Sequence, residues 1–345
     1  MTKEIKLSLA GFGAVGQRFC RLLCEKEAEL ADVFGCRVKI TGISTPSRGT
    51  LINHNGLDMD EVFAMEAATK KFDQDHPDYV TEDTMGMIRN CGADVLCELT
   101  TLSVFDGEPA ASHITEAFRN DMHVITANKG PIAVHFRKLA SLAGRHQKHF
   151  LYETTVMDGT PVFNMAKNGL HGCQVLGLRG IFNGTTNFLL GEISQGVEFD
   201  EAVKEAQRRQ IAEADPSMDV DGLDGAAKLC ALANVLMGTE VRPVEVDVTS
   251  LRSVSAEDIK TAAQSGHKIK YICTAKKEEG KPILYSVQPE RIEKEDPLYS
   301  VDGTSAAVTL YTDLAGEMTV IQTEPTLLQT AYGVYSDLLT LVNIL

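Results

Sequence analysis

The sequence predicts a doubly wound α/β fold followed by an α+β domain, and three observations carry that prediction. A short apolar strand around Leu7 and Leu9 ends at Gly11-Phe12-Gly13-Ala14-Val15-Gly16, behind which Val15, Phe19, Leu22, Leu23 and Leu30 recur at helical spacing. Strand and helix patterns then alternate over roughly 150 residues, as a parallel sheet with helices on both faces requires. Late in the chain strands gather instead, at 268–273, 283–287, 308–311 and 318–321, which suits an α+β unit whose sheet can pair with a second copy.

The elements follow in order. After the first helix come a strand near Val38 to Ile43, a polar stretch from 56 to 86 that reads as helical, and a strand at 94–99. A helix near Ser112 to Arg119, a strand at His123–Thr126, a helix through Phe136, Leu139, Ala140 and Ala143, and a strand at 150–154 complete the alternation. Beyond Thr155, Pro161 opens a helix, 178–182 reads as a strand, and Gly184-Thr185-Thr186-Asn187 as a polar turn. A helix from Asp200 to Ile211 leads into five carboxylates between Glu213 and Asp224. Gly222 and Pro216 break the chain there, and Asp221 is placed to cap the next helix. Asp224 and Lys228 are one turn apart and share a face of that otherwise apolar helix. A last helix, about Ala331 to Leu345, is expected to return to the first domain, giving 1–151 and 152–329 with 330–345 added to the first.

Composition bounds the function. Of 345 residues 43% are hydrophobic and 23% charged, and no apolar run approaches the ~20 needed to span a bilayer. The net charge of −15 disfavours nucleic acid and anionic membranes. No signal-peptide pattern opens the chain, and the eight cysteines lack a Cys-x-x-Cys, so a cytoplasmic location with reduced thiols is expected. His146 and His149 lack the further ligands that zinc requires.

In its strand-turn-helix setting the glycine motif is a dinucleotide fingerprint, and the first domain is read as Rossmann-like. One glycine makes the tight turn, one admits the pyrophosphate, and one lets helix and strand pack, with phosphates at the helix N-terminus. Lys129 lies just past a strand's C-terminal end, where open α/β sheets bind ligands. A lysine with a carboxylate partner suits proton transfer to or from a hydroxyl, and clustered carboxylates suit a ligand ammonium.

Four motifs together resemble the homoserine dehydrogenases over most of the chain: Gly11 to Gly16; Glu98-Leu99-Thr100 with Asp106-Gly107-Glu108-Pro109-Ala110; Thr126-Ala127-Asn128-Lys129-Gly130-Pro131; and Gly180 to Phe188 followed by Glu213 to Lys228. The resemblance implies NAD(P)-linked interconversion of L-homoserine and L-aspartate 4-semialdehyde, a step toward threonine and methionine, by a homodimer. It implies Lys228 and Lys129 at the reacting oxygen, Asp224 positioning Lys228, Glu213 and Asp219 on the substrate ammonium, and Asn183, Gly184 and Thr185 beside the substrate. Cofactor contacts fall to Gly11, Phe12, Gly13, Ala14, Val15, Gly16, Thr45, Arg48, Thr100 and Lys129, and a monovalent cation to Glu153 and the Val156 carbonyl.

Three departures from the family stand out. Thr45 and Arg48 occupy the end of the second strand where an acid is common, so NADP is preferred over NAD, with no carboxylate to repel the 2′-phosphate. Met157 and Asp158 replace small residues, so a different backbone and an altered substrate pocket are expected. A glycine-rich loop before the last helix is replaced by residues 322–331, and feedback through an appended regulatory domain is not expected. Two other readings fit: an NADP-linked oxidoreductase of another small amino, hydroxy or oxo acid, and a non-catalytic dinucleotide sensor. Retention of Lys129, Asp224 and Lys228 argues against the sensor.

Overall fold

The computed structural model describes residues 2–345. The chain divides into two compact units, the first running to Pro161 and resuming at Thr326–Leu345, the second Val162–Pro325.

The first unit runs β1 (Lys3–Ala10), α1 (Ala14–Glu25), α2 (Glu27–Asp32), β2 (Cys36–Thr45), β3 (Gly49–Ile52), α3 (Met59–Thr69), β4 (Tyr79–Val80), α4 (Thr84–Asn90), β5 (Val95–Glu98), α5 (Ala110–Arg119), β6 (His123–Thr126), α6 (Lys129–Arg145) and β7 (Phe150–Leu151). Its sheet has the order β4-β3-β2-β1-β5-β6-β7. Strands β1, β2, β5, β6 and β7 are parallel. The strands β3 and β4 are antiparallel additions at one edge, so the sheet is mixed rather than wholly parallel. The turn from Thr45 to Gly49 is too short for a crossover and forces a hairpin. The polar stretch 56–86, read as helical, therefore holds a strand between two helices. Strand order reverses at β1, which opens a crevice at the C-terminal ends of β1 and β5.

The second unit contains α7 (Val162–Gly169), β8 (Val175–Ile181), α8 (Gly184–Ser194), α9 (Phe199–Arg208), α10 (Ser217–Val220), α11 (Leu223–Leu236), β9 (Asp247–Val248), α12 (Ala256–Gln264), β10 (Lys268–Lys276), β11 (Leu284–Ile292), β12 (Ala306–Thr312) and β13 (Glu317–Gln322). These strands form a sheet of order β13-β12-β8-β10-β11-β9. Helix α11 packs on one face of it through small residues. A Cβ added at Gly225 would stand 3.1 Å from Cys273 Sγ, so only glycine leaves that approach undisturbed. Asp221 does not cap α11. The N-cap is Gly222, with φ +79, and Asp221 bonds Ser250 Oγ at 2.8 Å.

The last helix, α13 (Leu327–Ile344), starts earlier than its apolar pattern because Thr326 and Gln329 form a capping box. Its Ala331, Val334, Leu338 and Leu341 join Phe19, Leu22 and Leu23 of α1 in the first unit's core. Met157 and Asp158 keep left-handed backbone, φ 58 and 51, in the conformation glycine adopts most easily. Asp158 faces the last helix rather than opening a pocket: Thr330 Oγ1 donates to its carboxylate at 2.7 Å. Thr154 Oγ1 donates to the Asp158 carbonyl at 3.1 Å and to the Thr330 carbonyl at 3.2 Å. The departures at 157–158 and at the start of the last helix thus meet in one packed junction. No described helix is long and apolar enough to cross a membrane, and all eight cysteines are free.

At Asp158 two effects oppose each other. Glycine would relieve ~1–2 kcal/mol of left-handed strain but lose a charge-assisted hydrogen bond worth ~1.5–3 kcal/mol and add freedom to the unfolded chain. Asp158→Gly is expected to lower the urea-unfolding free energy by about 1 kcal/mol. Asp158→Asn, which tolerates the same backbone and keeps an acceptor, should change it by under half as much.

Candidate active site

The glycine motif builds a cradle. Gly11 has φ +98, and a Cβ there would lie 2.4 Å from the Leu99 carbonyl oxygen, so the turn is closed against β5. A Cβ at Gly16 would stand 3.0 Å from the Gly11 carbonyl oxygen, which keeps α1 close to β1. At Gly13 an added Cβ would meet nothing within 4 Å: the N-terminus of α1 faces open space there. Phe12 is buried and stacks on Phe63 of α3, whereas Gly13 and Ala14 are exposed. An exposed helix N-terminus with unfilled space before it fits a pyrophosphate.

Loops after β5 and β6 converge at the same end of the sheet. Glu98, fully buried, accepts from the Thr100 hydroxyl and, at 3.3 Å, from the Thr100 amide. Asn128 caps α6 by accepting from Gly130 N at 3.0 Å and donates to the Thr100 carbonyl at 3.2 Å. Lys129 therefore begins a helix instead of lying in a turn, and its backbone is fixed by the residue before it. Glu98 is an organising residue that sequence reasoning noted only as part of a motif. Its signal was a carboxylate at the last position of an apolar strand.

In the second unit a polar cluster forms around Asn183, the N-cap of α8. Its side-chain oxygen accepts from Thr186 N at 2.8 Å, while Nδ2 donates to Asp219 at 2.7 Å and to Asp224 at 2.9 Å. Lys228 Nζ lies 3.3 Å from Asp224 and donates to the Phe182 carbonyl at 2.6 Å. The lysine keeps 20% of its side chain exposed, so a proton carried there can reach a ligand. Burial, then Asp224, pushes the Asp219 carboxyl above the usual range, against the pull of Asn183, Thr185 and Lys228. Thr185 Oγ1 donates to the Ile211 carbonyl at 3.2 Å, fixing the first turn of α8 to the chain ahead of the carboxylates. A Cβ at Gly184 would stand 2.9 Å from the Thr304 carbonyl oxygen. Glu213 is exposed in the loop after α9, outside these bonded residues.

The family models that match the chain are "Homoserine dehydrogenase, NAD binding domain", over residues 11–153, and "Homoserine dehydrogenase", over residues 161–339. The chain belongs to the homoserine dehydrogenase family. It is 35% identical to the NAD(+)-dependent homoserine dehydrogenase of Pseudomonas canavaninivorans, with 97% of this chain and 96% of that one covered. It is also 35% identical to a homoserine dehydrogenase of Methanocaldococcus jannaschii, over 97% of this chain and 98% of the relative. Among solved structures, a putative homoserine dehydrogenase from Archaeoglobus fulgidus superposes with TM-score 0.88 at 31% identity, covering 98% and 99% of the two chains. A hyperthermophilic archaeal homoserine dehydrogenase in complex with NADPH gives 0.83 at 26%, covering 99% and 98%. As a homoserine dehydrogenase the chain is an NAD(P)-dependent oxidoreductase that interconverts L-homoserine and L-aspartate 4-semialdehyde by hydride transfer, a reaction of amino-acid biosynthesis.

For this homoserine dehydrogenase one expectation is overturned at the end of β2. Arg48 is not left facing a carboxylate-free strand end: its Nη2 donates to Glu66 of α3 at 3.0 Å. Glu66 lies 18 residues on, and no local pattern links the two.

The raised Asp219 has a stability consequence. A carboxyl whose folded pKa lies above its unfolded value, ~3.9, contributes fully below that value and loses the contribution as pH rises through the folded pKa. Asp219→Asn removes the charged form, so it is expected to stabilise the protein at pH 7, with the gain shrinking toward zero near pH 4. Urea unfolding across that range checks both the sign and the window.

Proposed function

We propose that the Asn183 cluster is the catalytic end of the homoserine dehydrogenase reaction, with Lys228 moving the proton at the substrate's carbinol oxygen. What supports this most is one observation: Lys228 is tied to Asp224 and to the Phe182 carbonyl while its side chain stays partly exposed. Removing a hydride from a carbinol carbon requires a group that takes the hydroxyl proton, and in reverse the same group returns it. Asp224 positions the lysine, and Lys129 adds a second ammonium that stabilises negative charge on the oxygen. Asp219 and Glu213 hold the substrate ammonium, and Asn183, Gly184 and Thr185 shape its pocket.

The dinucleotide, when bound, accepts or delivers the hydride. Its phosphates are assigned to Gly11–Gly16 and the N-terminus of α1, its adenosine ribose to Thr45 and Arg48 at the end of β2, and its nicotinamide side to Thr100 and Lys129. NADP(H) is the preferred form, because Arg48 can make a charge-assisted pair with a 2′-phosphate. A monovalent cation is assigned to the buried Glu153 and the Val156 carbonyl, a set of hard oxygen donors. No reaction step depends on it. Free cysteines are consistent with a cytoplasmic setting.

Two variants separate chemistry from binding. Lys228→Ala should lower kcat by roughly 10²–10⁴ while NADPH binding, followed by fluorescence, stays nearly unchanged. Glu213→Ala should act mainly on KM for homoserine, since an ammonium contact is present in ground and transition states alike. Wild-type turnover in Lys228→Ala would remove the assignment.

The protein is further assigned as a homodimer that pairs through the sheet of the second unit. The face bearing Thr274, Arg179 and Thr309 also carries exposed Leu284, Tyr311 and Ile321, opposite the face on which α11 packs. Light scattering should give twice 37.5 kDa. A 37.5 kDa particle at all concentrations excludes it.

A further inference from the structure

The end of β2 carries a charge pair fixed to the glycine cradle. Gly11 N donates to the Ser44 carbonyl at 2.8 Å, so the cradle and the last residues of β2 share one edge. Thr45 Oγ1 and Ser47 Oγ are 3.0 Å apart, and Arg48 Nη1 donates to Ser47 Oγ at 3.3 Å. Glu66 takes Nη2 of the same guanidinium, with only 18% of the arginine side chain and 11% of the glutamate side chain exposed. Arg48 Nε is buried with no acceptor, so among the described residues Glu66 supplies the carboxylate that balances this cation. Helix α3 is in turn fixed to the cradle, since Phe63, one turn before Glu66, stacks on Phe12 at 6.2 Å with 21° between the rings.

We propose that Glu66 is a specificity-determining residue for the dinucleotide: it holds and neutralises Arg48, so that the adenosine ribose meets an Arg–Glu pair rather than an arginine alone. The inference rests on the assignment of Arg48 to the 2′ position. A 2′-phosphate is attracted by the guanidinium and repelled by the carboxylate beside it, whereas a 2′-hydroxyl can donate to that carboxylate. Glu66 therefore narrows the NADP preference that Arg48 creates and supplies, from a helix, the acid that the end of β2 lacks. Limited exposure of the pair strengthens both effects, because solvent screens it little.

The test is fluorescence titration of the unliganded protein with NADPH and with NADH at one ionic strength. Glu66→Gln is expected to raise the NADPH-to-NADH affinity ratio by about tenfold, mostly by tightening NADPH. Glu66→Met, which removes the charge at similar length, should move the ratio the same way. The unliganded Glu66→Gln protein should melt lower than wild type yet gain more in Tm on adding NADPH, because the phosphate restores a partner to Arg48. An unchanged ratio in both variants, or an equal loss for both cofactors as a merely structural role would give, overturns the proposal. Arg48→Ala separates the underlying assignment: if it leaves the ratio unchanged, that assignment fails and the Glu66 proposal with it. If it lowers the ratio while Glu66→Gln does not alter it, only the role of Glu66 fails.

Discussion

The amide of Asn183 stands between two carboxylates, and the polar site of the second unit is arranged by that contact. One nitrogen donates to Asp219 and Asp224, while the oxygen caps α8. Like charges so close repel, and burial raises their cost. The amide gives each carboxylate a hydrogen bond, and Lys228 supplies the opposite charge. Because the amide spends its oxygen on the helix, its orientation is fixed and with it the positions of both acids. A small residue makes the arrangement possible: Gly225, beside Asp224 and three residues before Lys228, lets α11 approach Cys273 of β10 and Val287 of β11.

The first unit is constrained differently, by backbone. Gly11 must be glycine because its conformation is left-handed and the Leu99 carbonyl occupies the space a side chain would need. At the other end of the unit the left-handed positions at 157 and 158 are held by side chains that glycine would not supply. Thr154, Asp158 and Thr330 tie the loop to α13, and Gly333 admits that contact, since a Cβ there would overlap Thr154 Oγ1. Two segments far apart along the chain are thus one structural unit, joined by hydrogen bonds between side chains and backbone.

Several site residues were legible because their chemistry is local. The Gly11–Gly16 turn, the place of Lys129 just past a strand's C-terminal end and the Asp224–Lys228 spacing each follow from residues within one or two turns. The misreadings share a cause. Asp221 looks like a cap by residue type, but Gly222 adopts a backbone that ends α10 and begins α11 directly, and Ser250 takes the aspartate instead. The edge strands β3 and β4 carry too few residues to show a period of two.

By itself the sequence determined the alternation of strands and helices, the glycine cradle, the family, and the identity of the acids and lysines. Periodicity, glycine conformation and short motifs are properties of neighbouring residues, so these features needed no third dimension. Tertiary structure decided which charges meet. Arg48 finds Glu66 across 18 positions, Asn183 gathers two acids more than 35 positions away, and Asp158 meets Thr330 across 172. Electrostatic and hydrogen-bond energies depend on distances of a few ångströms, and those distances are set by how helices pack on sheets, which no local pattern encodes.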